Sequence, residues 1–407
     1  MKYINRDIES TIQDITQYYA AIILTGPRQV GKTTTLRRLS AHDRKEVSLD
    51  DLEARRIAKN DPEMFLSIYK PPLFIDEVQY APELFSRIKI EIDNGAAPGS
   101  FWMTGSQSFR LMELAQESLA GRAAILRMAS LSQREIYGGE AKSPFAVNLQ
   151  ALQERTAGKR PIDTNEQYER IWNGSMPGHI SGKFPMRDVF YSSYLESYIG
   201  RDIKDMFAGV DNLQFSDFIR AAACRAGQML NIHDIALDVG VADETAKRWL
   251  GMMEKSGVIF FLRPYSNNLL KRTVKTPKMY FFDTGLVAHL AKYSTPEILM
   301  NGAINGAILE NYVVAEIMKS YSINGSDAIC HYYRNKDSRE IDLIMESDGE
   351  LHPIEIKKTA SPSAELSRVF KLLDKAQLNR GDGAVICTKR EFTAIDRRTL
   401  VVPVWAV

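Results

Sequence analysis

A chain of 407 residues, 44% hydrophobic and 25% charged, has the mixture of an ordinary globular protein and the length for two or three cores, which excludes a fibrous or disordered class. Its 52 lysines and arginines balance 51 acidic residues, for a formal net charge of +1, so no global electrostatic pull toward nucleic acid or an anionic membrane exists and any such partner must be held by a local patch. Three scattered cysteines (Cys224, Cys330, Cys387) fit neither a disulfide framework nor a zinc cluster, and neither a signal peptide nor an apolar run of about 18 residues occurs, so the expected location is the cytoplasm with no membrane partner.

Short, near-continuously hydrophobic runs at 20–27, 46–50, 71–78, 100–106 and 123–130 alternate with helix-like stretches. Such runs read as strands buried on both faces, and the lengths between them suit crossover helices. Residues 1–135 are therefore expected to form a three-layer α/β domain around a parallel sheet. From 136 to 211 the pattern is mostly helical, a linker or lid with Gly/Pro punctuation. Residues 212–293 read as a winged helix. Gly240 ends one helix, Asp243-Glu244-Thr245 starts the next, and two strands follow around a loop bearing Lys271, Arg272, Lys275 and Lys278. A wing tip of that charge is what DNA, as a partner, would need. Residues 294–407 open with a helix over 305–321 and continue into a hairpin turning at Ser347-Asp348-Gly349, an α/β unit.

Within the first unit, Gly26-Pro27-Arg28-Gln29-Val30-Gly31-Lys32-Thr33, followed by Thr34, is a phosphate-binding loop between a hydrophobic strand and a helix. The glycines let backbone N–H groups wrap phosphate oxygens, Lys32 reaches the β/γ-phosphates and Thr33 supplies an oxygen to Mg²⁺. Arg28 either touches phosphate or faces solvent. LFIDEV (73–78) ends a strand in Asp76, which suits Mg²⁺, and Glu77, which suits the attacking water. Strand 100–106 ends in Thr104-Gly105-Ser106-Gln107. If it lies between the other two, Ser106 and Gln107 can contact the γ-phosphate or the water. Arg122 is a candidate arginine finger, in cis or across a subunit boundary.

In the last unit, strand alternation puts Glu355 and Lys357 on one face, where Asp342 of the partner strand and Glu310 of the preceding helix can join them. Two carboxylates and a lysine so arranged suit Mg²⁺ and phosphodiester chemistry.

GPRQVGKTTTLRRL, LFIDEVQ, MTGSQS and SLAGRAA resemble the archaeal-type ATPases of the AAA+/additional-strand P-loop class. That resemblance extends to YIGRD (198–202) and implies ATP and Mg²⁺ as cofactors and self-association into a homo-oligomer. Asp342 and Glu355-Ile356-Lys357, behind a helix bearing Glu310, resemble the PD-(D/E)XK nucleases, with Ile341 where the motif has proline. This implies a nuclease-like fold with a second Mg²⁺ or Mn²⁺. Two functions stay open: an ATP-driven enzyme acting on nucleic acid, and an ATP-dependent switch that binds protein or DNA and cleaves nothing.

Overall fold

Strands β1 (Ala21–Gly26), β2 (Lys45–Ser48), β3 (Leu73–Asp76), β4 (Phe101–Ser106) and β5 (Ala123–Arg127) pair in parallel in the order β2-β3-β4-β1-β5. The computed structural model describes residues 3–40, 44–106, 117–138, 143–199, 211–267 and 276–407. Alternation along the strands explains their hydrophobicity. Ile23, Ile75, Phe101 and Met103 face one core with α3 (Leu52–Asn60), α4 (Pro62–Ile68) and α5 (Leu84–Asp93). Ile22, Leu24, Phe74 and Trp102 face the other, with α1 (Ile8–Thr16) and α2 (Lys32–Leu39). A strand apolar on both faces is thus sandwiched by helices, as a three-layer domain requires. Asp51 and Asp61 accept the N-cap hydrogen bonds of α3 and α4 from Ala54 and Met64. β4 does lie between β1 and β3, with Ile75 opposite Met103 and Met103 opposite Ile23.

Beyond α6 (Gln133–Tyr137) the chain builds a second body. It holds the helices α7 (Leu149–Thr156), α8 (Thr164–Asn173), α9 (Pro177–Ile180) and α10 (Arg187–Ser197). Then come α11 (Asn212–Ala223), β6 (Gln228–Met229), α12 (Ile232–Val239), α13 (Asp243–Lys255), β7 (Ile259–Pro264) and β8 (Lys278–Phe281). Gly240, at φ 73°, closes α12 in the left-handed conformation read from the sequence. After α14 (Thr284–Leu290), α15 (Pro296–Asn301) and α16 (Asn305–Ser322) come β9 (Cys330–Arg334), β10 (Glu340–Ser347) and β11 (Glu350–Lys357). β12 (Asn379–Arg380), β13 (Gly383–Cys387), β14 (Thr393–Asp396) and β15 (Thr399–Pro403) complete it. The β10–β11 turn is the two residues Asp348 and Gly349, with φ of 51° and 77°, the mirror-image turn that a tight hairpin favours.

Two expectations meet the structure here. Strands on either side of the boundary expected between 293 and 294 share one ten-stranded sheet. β7 pairs in parallel with β9, Arg263 opposite His331 and Pro264 opposite Tyr332. One apolar cluster runs from Phe145 to Val407, and it includes Tyr168, Ile171 and Tyr191 of the stretch read as a linker. Secondly, Lys278 does not belong to a basic loop: it is the first residue of β8 and only 3% exposed. Lys271, Arg272, Lys275, Gln107 and the end of YIGRD lie outside the described residues. Among the described residues no helix is long and apolar enough to cross a membrane.

Candidate functional site

At the carboxyl end of β1 the backbone makes three left-handed turns. Gly26 (φ 150°) passes so close to β5's continuation that a Cβ there would stand 2.1 Å from the Met128 carbonyl oxygen. Gln29 (φ 60°) and Gly31 (φ 98°) then swing the chain so that α2 begins at Lys32. The first turn of α2, with its unpaired N–H groups, therefore opens onto the loop. Lys32 is nearly buried and folds over that loop, its Nζ donating to the carbonyls of Gly26 (2.9 Å) and Pro27 (2.7 Å). Val30 is packed into the core below, while Arg28 is half-buried and Thr34 exposed.

Asp76, at the end of β3, gathers the neighbouring hydroxyls. Its Oδ1 accepts from Thr33 Oγ1 at 2.7 Å and from Thr104 Oγ1 of β4. The Glu77 amide donates to Thr104 Oγ1 at 3.2 Å, and Gln79 Nε2 donates to the Glu77 carboxylate. Glu77 itself adopts a left-handed backbone (φ 57°, ψ 46°), which for a residue with a Cβ stores about 1–3 kcal/mol of strain of the kind found at active sites. Thr104 and Gln79 escaped the sequence reading. Thr104 was nonetheless findable, because it lies two residues before Ser106 and so on the same face of β4. Ser106 closes β4 opposite Gly26 in backbone register.

Hard oxygens from Thr33 and Asp76 converge with hydroxyl neighbours, a donor set suited to Mg²⁺ beside a phosphate cradle. Arg122 is elsewhere. It precedes β5, whose Ala123 pairs with Ala21 at the start of β1, so it stands at the opposite end of the parallel sheet from the loop. Five residues of strand make that roughly 16 Å. Its guanidinium grips Asp93 at 2.6 and 3.1 Å, and the cis finger is corrected on that geometry.

The hairpin of the second body gathers a different acidic cluster. Asp342 Oδ2 accepts from the Ile356 amide and from Lys357 Nζ, both at 2.8 Å, and Glu355 Oε2 meets the same Nζ at 2.9 Å. Glu355 Oε1 is buried with no hydrogen-bond partner. Burial and the facing Asp342 carboxylate push the Glu355 carboxyl up to about 8, against the pull of Lys357. One ammonium between two carboxylates leaves one of them to keep its proton. Glu310, on α16, accepts from Lys278 Nζ at 2.8 Å and Tyr280 Oη at 2.7 Å, and Lys278 also pairs with Glu340. Burial and Asp342 raise Glu310 to about 7, opposed by Lys278. Glu310, Asp342, Glu355 and Lys357 do come together, but Lys278, expected in a basic loop, and Glu340, not singled out from the sequence, come with them. Among the described residues no group of three acidic, His or Cys side chains is arranged to hold a metal ion. Each carboxylate of this cluster pairs with an ammonium group, Glu310 and Glu340 with Lys278 and Asp342 and Glu355 with Lys357.

Comparison with known proteins fits this division. Residues 18–137 match a family model described as an AAA domain, and residues 164–297 and 305–407 match domains of unknown function (DUF8612 and DUF4143). Uncharacterized proteins of Mycobacterium bovis and Mycobacterium tuberculosis are each 27% identical over 374 residues, covering 91% of this chain and 77% of the relative. A Walker-type ATPase of Pyrococcus abyssi aligns over 71% of this chain and 96% of its own, at 14% identity and a TM-score of 0.43. With β4 seated between the loop strand and the Asp76 strand, the N-terminal body has a P-loop-like α/β fold and matches an AAA-domain model, and the second body matches two domains of unknown function.

Proposed function

We propose that the chain binds ATP with Mg²⁺ at Gly26–Thr34, hydrolyses the nucleotide, and uses its state to bias what the second body binds. The carrying observation is the meeting of Thr33 and Thr104 on Asp76 Oδ1 beneath a lysine folded over the loop's own carbonyls. Backbone N–H groups of Gly26–Gly31 and the first turn of α2 bind phosphate oxygens, and Lys32 exchanges the Gly26 and Pro27 carbonyls for them. Thr33 and Asp76 hold the metal, which when bound neutralises charge on the transferring phosphoryl. Glu77 orients the attacking water and takes its proton, with Gln79 fixing its carboxylate. The sequence offers Ser106 and Gln107 as contacts for the γ-phosphate or the water. Arg122 serves a neighbouring copy of a homo-oligomer. ATP binding by radiolabelled filter assay and phosphate release, in wild type, Lys32→Ala and Glu77→Gln, test this: undiminished turnover in both variants would sink the reading.

For the second body, lysine-paired carboxylates favour a binding platform over a nuclease. The order helix, strand, helix, helix, hairpin from α11 to β8 supports a winged helix, and DNA is the ligand such a module takes through a basic wing. Linear and single-stranded DNA incubated with Mg²⁺ or Mn²⁺, with and without ATP, should stay intact. Cleavage that disappears in Lys357→Ala would replace this reading with an ATP-linked nuclease.

A further inference from the structure

Arg6 belongs to no motif, yet it is 6% exposed and directs its donors at the nucleotide loop. Nη1 donates to the Val30 carbonyl at 2.7 Å, Nη2 to the Ala129 carbonyl at 2.9 Å, and Nε to Glu135 Oε1 at 2.9 Å. Val30 immediately precedes Gly31 and Lys32, so the guanidinium holds the peptide from which the phosphate-binding turn departs. Glu135 is fully buried and its oxygens are spent as well. Oε1 also accepts the Asp7 amide (2.8 Å), and Oε2 accepts the Ser132 amide (2.7 Å), closing a capping box at the start of α6.

The stretch 129–133 held by these two residues is gripped on its far side by the second body. Lys319 Nζ donates to the Leu131 carbonyl at 3.0 Å, Gln133's amide donates to Glu316 Oε2 at 2.9 Å, and Ser175 Oγ donates to Ser130 Oγ at 2.9 Å. Glu316 and Lys319 pair with each other at 2.9 Å and lie on α16, the helix that also bears Glu310. Five residues of backbone are thereby fastened to the P-loop on one side and to α16 on the other.

A planar guanidinium fixes its three acceptors relative to one another, which an ammonium on a flexible stem does not. Breaking one such buried bond strands a polar group at a cost of about 1–3 kcal/mol. A loop displaced by entering phosphates therefore drags its partners or breaks bonds that are costly to lose. We propose that Arg6 is a positioning residue for the nucleotide loop, and that it couples the loop's occupancy to α16 of the second body through Glu135 and residues 129–133. The inference rests on the ATP reading above and names the regulation of that same site.

Hydrogen exchange of the full chain, with and without a non-hydrolysable ATP analogue and Mg²⁺, tests it together with steady-state hydrolysis in wild type, Arg6→Lys and Glu316→Gln. In wild type the analogue should change exchange in peptides covering 129–137 and 305–322. Arg6→Lys should lose the response in 305–322 and lower kcat/KM by about 10- to 100-fold, the scale of a small misplacement of reacting groups. Glu316→Gln should lose the 305–322 response while hydrolysis stays within about two-fold, since it touches nothing at the loop. That split is one a merely structural role for Arg6 would not produce, and Glu316→Gln keeps the test alive if Arg6→Lys does not fold. A response in 305–322 that survives either substitution, or its absence in wild type that binds the analogue, overturns the coupling. Failure of wild type to bind the analogue is separately visible, and overturns the ATP reading together with this proposal.

Discussion

The P-loop cluster of acid, lysine and hydroxyl differs in its partners from the acidic cluster of the hairpin. At the P-loop, Asp76 accepts from two hydroxyls while Lys32 satisfies itself on backbone carbonyls. There the acid meets hydroxyls and the lysine meets carbonyls, oxygen partners that a metal and a phosphate can exchange for their own. In the hairpin cluster, Glu310 and Glu340 share Lys278, and Asp342 and Glu355 share Lys357. Similar side chains thus make a receptive site in one place and a self-neutralised one in the other. What decides is whether the carboxylate's neighbour carries charge of its own.

The contrast can be broken most severely at the receptive site. Lys32→Ala should abolish nucleotide binding, and Glu77→Gln should retain it while turnover falls by about 10²- to 10⁴-fold, read by phosphate release. Lys278→Met tests the self-neutralised site, because it leaves Glu310 and Glu340 buried without their cation. A loss of about 3–5 kcal/mol is expected by chemical denaturation. The same loss is expected of Lys278→Ala, which leaves room at the site, and recovery of its stability on adding Mn²⁺ would show that a metal can take the ammonium's place. Thr104→Val keeps the shape of β4 but removes the hydrogen bond to Asp76 and the one from the Glu77 amide, so turnover should fall by about 10-fold, at about 0.5–1.5 kcal/mol for each bond.

The smallest effect is on pH dependence. A carboxyl raised from 4.5 to about 8, as at Glu355, holds its proton more tightly in the folded chain than in the unfolded one. Its contribution to stability is full in acid and is lost as pH rises from near 4.5 through about 8. Glu355→Gln should flatten that decline in a series of thermal melts, and an unchanged slope would mean the proton resides elsewhere.

The phosphate loop was legible because its chemistry requires fixed residue types at fixed local spacing. The five strands were legible because burial on both faces leaves unbroken apolar runs. Strand order was not, and Ser106 and Gln107 were therefore named conditionally while Thr104, which the register brings to Asp76, was passed over. Arg122 stands away from the loop of its own chain, and strand order is what decides it: a residue entering a parallel strand stands at the end away from loops that leave its neighbours. Lys278 was taken for part of a basic loop because its partners Glu310 and Glu340 lie far along the chain, beyond the reach of any local pattern. Arg6 failed for the same reason, its partners being at 30, 129 and 135.

The parallel pairing of β7 with β9 has a bearing on how this protein could be taken apart. The two domains of unknown function meet between residues 297 and 305, where a protease or a cloning boundary would seem free to cut. Separating the fragments would bare the β7 edge on one piece and the β9 edge on the other, each offering unsatisfied N–H and C=O groups to any passing strand. Fragments made there should aggregate or remain associated, because each half holds the strand that covers the other's edge.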